Sequence, residues 1–85
     1  MDQLSNLSPR GVLSLHLQSL QSGEGTMLHG VSRRDSSPVE ATVDHTETGW
    51  VINMNWPTQS FKVRRSFTLL SYAVDFLAIE GRGWA

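Results

Sequence analysis

At 85 residues the chain is long enough for one domain only, and a domain of this size keeps a thin core for its surface. Hydrophobic residues make up 39% and charged residues 18%, with a formal net charge of −1. This excludes the composition of disordered chains and gives no global attraction to nucleic acid or an anionic membrane. Cysteine is absent, so neither disulfides nor thiolate-bound zinc supplements the core.

The opening Met1-Asp2-Gln3-Leu4-Ser5-Asn6 lacks the basic and apolar regions of a secretory signal, and residues 1–7 read as a loose tail. Asn6-Leu7-Ser8 matches the glycosylation acceptor pattern, which without a secretory route is a chance match. No apolar run approaches the roughly 18 residues of a transmembrane helix. The expected setting is therefore cytoplasmic, with no membrane partner.

Ser8-Pro9 reads as a helix start, because serine caps and proline suits the first helical position. Leu13, Leu17 and Leu20 then share a face flanked by Val12 and His16, and Gly23 is the expected stop. A strand is the rival reading, since Leu13, Leu15 and Leu17 also alternate; length and the cap favour the helix. After a turn at Gly23-Glu24-Gly25, Thr26 to Arg34 carries Met27, His29 and Val31 on one side, a strand interrupted at Gly30. Asp35-Ser36-Ser37-Pro38 is a loop by composition.

The strongest pattern follows. Val39, Ala41, Val43 and His45 alternate with Glu40, Thr42, Asp44 and Thr46. Beyond Glu47-Thr48-Gly49, the residues Trp50, Ile52, Met54 and Trp56 alternate with Val51, Asn53 and Asn55. Two period-two runs about a short glycine turn define a β-hairpin with one apolar and one wet face. Trp56-Pro57 closes it, and Phe61 and Val63 alternating with Lys62 and Arg64 give a last short strand. From there the period lengthens. Leu70, Ala73, Val74 and Leu77, widened by Leu69 and Phe76, mark an amphipathic helix capped by Ser66 or Thr68 and stopped by Gly81. Residues 82–85 read as a second loose tail.

The predicted fold is one α+β domain over residues 1–85. It is a two-layer sandwich of a three- to four-stranded antiparallel sheet with an N-terminal and a C-terminal helix, in the order α-β-β-β-β-α. The Trp50/Ile52/Met54/Trp56 face is expected to be sealed against Leu70/Ala73/Val74/Leu77. A core this small gains from self-association, so a homodimer belongs among the expectations.

Chemistry is harder to place. His16, His29 and His45 fit no metal motif; His29 and His45 are brought together only if their strands are neighbours. Asp44 and His45 point to opposite faces of one strand. No G-x-S-x-G or S-x-x-K is present, and the pairs Gly23/Gly25 and Gly81/Gly83 lack the lysine and helix of a phosphate loop. Glu40 and Asp44 stand roughly 13 Å apart by strand rise, too far for a shared catalytic site. No catalytic residue, metal or cofactor is assigned.

Five of the seven cations fall in two clusters, Arg33-Arg34 and Lys62/Arg64/Arg65. Lys62 and Arg64 are expected on the wet face, with Arg33 nearby if the outer strands are close, and with Glu40 and Asp44 as cross-strand partners. Such a stripe neutralises phosphates, but Trp50, Trp56 and Phe61 alternate onto the core side, away from any base. Trp84 has no periodic partner and either folds over the core or anchors another chain.

The leading expectation is a non-enzymatic protein-binding module. It would act as an inhibitor or adaptor occluding a larger partner, such as a nucleoprotein machine, through Arg33, Arg34, Asn53, Asn55, Lys62, Arg64, Arg65 and Trp84. Small cysteine-free domains without catalytic motifs are common among accessory proteins of bacteria and their phages and mobile elements. The runner-up is a small nucleic-acid-binding protein using the basic stripe.

Overall fold

A computed structural model of the chain describes residues 8–85; the first expected tail and most of the glycosylation triplet lie outside the described residues. Helix α1 (Pro9–Gln18) is followed by strands β1 (Gly25–Ser32), β2 (Pro38–Thr46) and β3 (Gly49–Trp56) and a single 3-10 turn at Pro57–Gln59. Strand β4 (Phe61–Phe67), helix α2 (Leu70–Glu80) and the two-residue strand β5 (Gly81–Arg82) complete the chain. The sheet is antiparallel, with spatial order β4-β3-β2-β1-β5. It has five strands, one more than the upper expectation, and the additional strand follows the second helix.

Alternation decides which way each strand faces. Leu28, Val39, Ala41, Val43, Ile52 and Met54 all point to one side, where Leu13 and Leu17 of α1 and Ala73, Val74 and Leu77 of α2 meet them in a single core. Trp50 and Trp56 are sealed in the same layer. The register is unbroken across three strands: Ala41 faces Met54, which faces Val63, and Val43 faces Ile52, which faces Arg65. Both helices lie on this side, and among the described residues no element covers the other side of the sheet.

Several local expectations need correction. The stop at Gly23 comes too late, because α1 ends at Gln18. There the Ser19 hydroxyl donates to the His16 carbonyl at 2.6 Å and the Leu20 N–H to the Leu17 carbonyl at 3.0 Å, satisfying the terminal carbonyls early. Leu20 then turns its own carbonyl to His45 Nδ1, 2.8 Å away. Strand β1 runs through Gly30 without interruption. The glycine is required because a Cβ there would lie 2.8 Å from the Trp84 ring. Ser66 cannot cap α2, since it is paired with Val51 inside β4, and the helix starts after Leu69 with no side-chain cap.

The segment 82–85 is not loose. Gly81 and Arg82 pair with Ser32 and Val31. Ala85 and His29 then exchange both backbone hydrogen bonds, at 2.8 and 2.9 Å. Periodicity has no purchase on so short an element.

Candidate functional site

The uncovered face of the sheet is built in cross-strand rows. One runs His29–Glu40–Asn55–Lys62, the next Met27–Thr42–Asn53–Arg64, and a third Gly25–Asp44–Val51–Ser66. The pleat sends these residues to the side opposite the tryptophans, as the alternation of the hairpin requires. Lys62 and Arg64 are exposed, and so is Asn53 between them and β2. Two shallow concavities of about 560 and 500 Å3 lie over β2, β3 and β4, with Asn53 and Arg64 in the walls of both.

The charges on this face do not pair as expected. Strand β3 separates β2 from β4, so Glu40 and Lys62 stand two strand spacings apart, roughly 10 Å, with Asn55 between them. Among the described residues the salt bridges are Arg10–Asp75 at 3.3 Å and Arg34–Glu80 at 3.4 Å, and neither involves β4. Among the described residues no carboxylate therefore lies within salt-bridge distance of Lys62, Arg64 or Arg65.

The second basic cluster lies elsewhere. Arg33 follows β1, three strand spacings or roughly 14 Å from β4, so the two clusters do not form one stripe. Arg33 Nε donates to the Ala78 carbonyl at 2.6 Å, its backbone N–H donates to the Glu80 carbonyl at 3.1 Å, and Arg34 pairs with Glu80. Cations at the C-terminal end of α2 meet the negative end of its dipole and fill its free carbonyls. Their first task is to hold α2 to β1.

Arg65 alternates to the helix side of the sheet opposite Ile52, yet it is exposed. Phe61 shares that side and packs on Trp56 at 5.2 Å between ring centroids, but 47% of its surface remains open. Both lie on an edge strand whose helix side α2 covers only in part, Phe76 packing on Phe67 at 5.6 Å. Phe61 thus takes the core-facing side expected of it but is not buried there.

Trp84 takes the inward of its two readings. Its Nε1–H donates to the Leu77 carbonyl at 2.9 Å and its ring lies over Gly30 and Gly81. The histidines are dispersed. His45 stacks on Trp50 at 4.1 Å and bonds Leu20, His29 lies on the open face opposite Glu40, and His16 is exposed on α1. His29 and His45 do not meet, because their side chains leave opposite faces of the sheet. No group of three His, Cys, Asp or Glu residues able to hold a metal occurs among the described residues. No helix among them is long and apolar enough to cross a membrane.

Sequence reasoning assigned Met27 and His29 to one side of a strand but to no surface. Met27 lies on the open face, 56% exposed beside Thr42. The alternation of Leu28 with Met27 held that signal, since one of the two had to leave the core.

The fold thus defines a two-layer α+β protein in which one sheet face has no covering element among the described residues. No protein-family model matches the chain, and no curated protein or solved structure matches it either.

Proposed function

We propose that the protein is a binding module that docks its uncovered sheet face on another protein and acts as an inhibitor or adaptor by occlusion, without catalysis of its own. The observation that carries this reading is the one-sided cover of the sheet. Both helices pack on the tryptophan side, which leaves the rows from β1 to β4 uncovered among the described residues. That surface mixes Met27, Val51 and neutral Thr42, Asn53 and Asn55 with the carboxylates of Glu40 and Asp44, and carries Lys62 and Arg64 at one border. Methionine and arginine are enriched at protein interfaces, and a mixed polar and apolar surface is usual for those that form between separately folded partners. The cysteine-free composition suits a reducing compartment, and the cytoplasm is the proposed location.

The test is capture from a lysate with three baits: wild type, Asn53→Arg and the helix-side variant Tyr72→Ser. A protein retained by wild type and Tyr72→Ser but lost with Asn53→Arg supports the reading. A partner held equally by all three baits, or nothing held above a blank, refutes it.

A second reading, nucleic-acid binding, draws on the three cations of β4, which form no salt bridge among the described residues. It lacks a continuous stripe and lacks aromatics beside the cations on the open face. It predicts affinity that falls steeply with salt. An affinity for single- or double-stranded DNA that is flat in salt removes it.

A further inference from the structure

The two edges of the sheet are finished differently. On one side, β5 and the Ala85–His29 pair occupy the outer hydrogen-bonding groups of β1 from His29 to Ser32. On the other side, β4 pairs with β3 without a bulge over its full seven residues. Beyond β3, no backbone hydrogen bond among the described residues reaches β4 from another segment. Alternate N–H and C=O groups of residues 61–67 therefore point outward unpaired, the template on which an extended chain adds as a strand.

Charge selects the occupant. Lys62, Arg64 and Arg65 give this edge three cations with no carboxylate within salt-bridge distance among the described residues. A second copy pairing edge to edge would bring three cations from each chain against one another, and like charges facing across strands destabilise the pair. Positive side chains are a common guard against self-pairing at a sheet edge. The same guard attracts a strand of opposite sign.

The faces of β4 set a pattern as well. Lys62 and Arg64 project to the open face, whereas Phe61, half-exposed, and Val63, half-buried, project to the helix side. An added strand alternates in step with its neighbour. We infer that β4 is a strand-addition site for an extended segment of a partner protein, in which acidic residues alternate with apolar ones. The acids would lie against Lys62 and Arg64 and the apolar side chains against the Phe61/Val63 shelf. This rests on the binding-module reading and names the partner's chemistry.

The probe is an end-blocked peptide alternating valine and glutamate over seven residues, matched to β4. It is titrated into the isotope-labelled full chain while amide shifts and hydrogen exchange are followed. The expected result is slowed exchange confined to alternate amides of residues 61–67. Affinity should weaken with salt and fall roughly tenfold in Lys62→Glu/Arg64→Glu, two exposed changes that leave the core intact. It should vanish when the peptide is N-methylated at alternate residues on one edge, which removes donors without altering its charge. Binding that survives N-methylation shows charge attraction alone and overturns the inference. So does unchanged exchange in β4 at millimolar peptide, displacement of the peptide by an oligonucleotide, or a dimer of the chain protected along β4. A captured partner lost with Asn53→Arg but retained by Lys62→Glu/Arg64→Glu would sink the edge while leaving the module standing. A module that fails its own capture test would fail with every bait alike.

Discussion

The indole of Trp84 shows how one side chain fixes the backbone around it. A Cβ on Gly30 would lie 2.8 Å from the ring and one on Gly81 2.5 Å from it, so both glycines exist to let the ring lie flat on β1 and β5. Trp84→Ala removes half-buried aromatic surface and the bond to the Leu77 carbonyl. It should cost about 2 kcal/mol, on the order of 10 °C in Tm for a domain of this size. Gly30→Ala should approach that loss from the other side by lifting the ring, with a matching change in tryptophan fluorescence. A thermal melt unchanged in both variants contradicts the packing. Asp35 gives the residue scale its pH dependence. Its carboxylate accepts from the Ser37 hydroxyl at 2.7 Å, from the Ser37 N–H at 3.1 Å, and from the Gln59 amide. These donors, the Ser37 hydroxyl foremost, hold its pKa below the ordinary 3.8. A depressed folded-state pKa stabilises the fold fully above the unfolded value, and that contribution disappears as pH falls through the folded one. Asp35→Asn keeps an acceptor but cannot titrate. The difference in Tm between wild type and variant should therefore be constant from pH 7 to 5 and shift against wild type only below about pH 4. A difference that changes near neutrality would assign the effect to another group.

Among the elements, the β2–β3 hairpin was the most legible, because each of its strands buries one face and wets the other. Its turn also sets a sharp steric condition. Gly49 has φ +148°, and a Cβ there would collide with the Phe67 carbonyl oxygen of β4. Gly49→Ala therefore strains the turn and pushes β4 away from β3. A loss of about 2 kcal/mol by denaturant titration is the expected outcome, with exchange accelerated first in residues 61–67. A neutral substitution would show that the turn has room it does not display. Elements whose limits depend on distant contacts were read poorly. Helix α1 stops before Gly23 because Leu20 turns aside to His45, a residue 25 positions away. Ser66 resembles a helix cap, yet register against Val51 claims it for β4. The candidate site divides in the same way. Alternation alone put Lys62 and Arg64 opposite the tryptophans, whereas strand order, which no local pattern encodes, separated Glu40 from Lys62 and Arg33 from both.

For the molecule as a whole, an open five-stranded sheet has two edges on which a further strand could add. The two edges are guarded differently. Strand β4 carries Lys62, Arg64 and Arg65, cations that oppose the edge-to-edge pairing of two copies. Strand β1 has no Lys, Arg, Asp or Glu among its eight residues and cannot use that device. Residues 81–85 cover its second half instead, by strand pairing at Val31, a reciprocal backbone pair at His29 and the Trp84 ring over Gly30. Removing residues 82–85 should then do more than lower stability. It bares a neutral strand with Met27 and Val31 on its outer face, and such an edge recruits another strand. The truncated chain is expected to associate as concentration rises, with sedimentation coefficients growing from the monomer value and new exchange protection along residues 25–32. Trp84→Ala keeps the backbone pairs in place, so it should lose stability yet remain at the monomer value. If the truncated chain stays monomeric at the same concentrations, the tail serves packing alone, and some other feature of β1 prevents its edge from pairing.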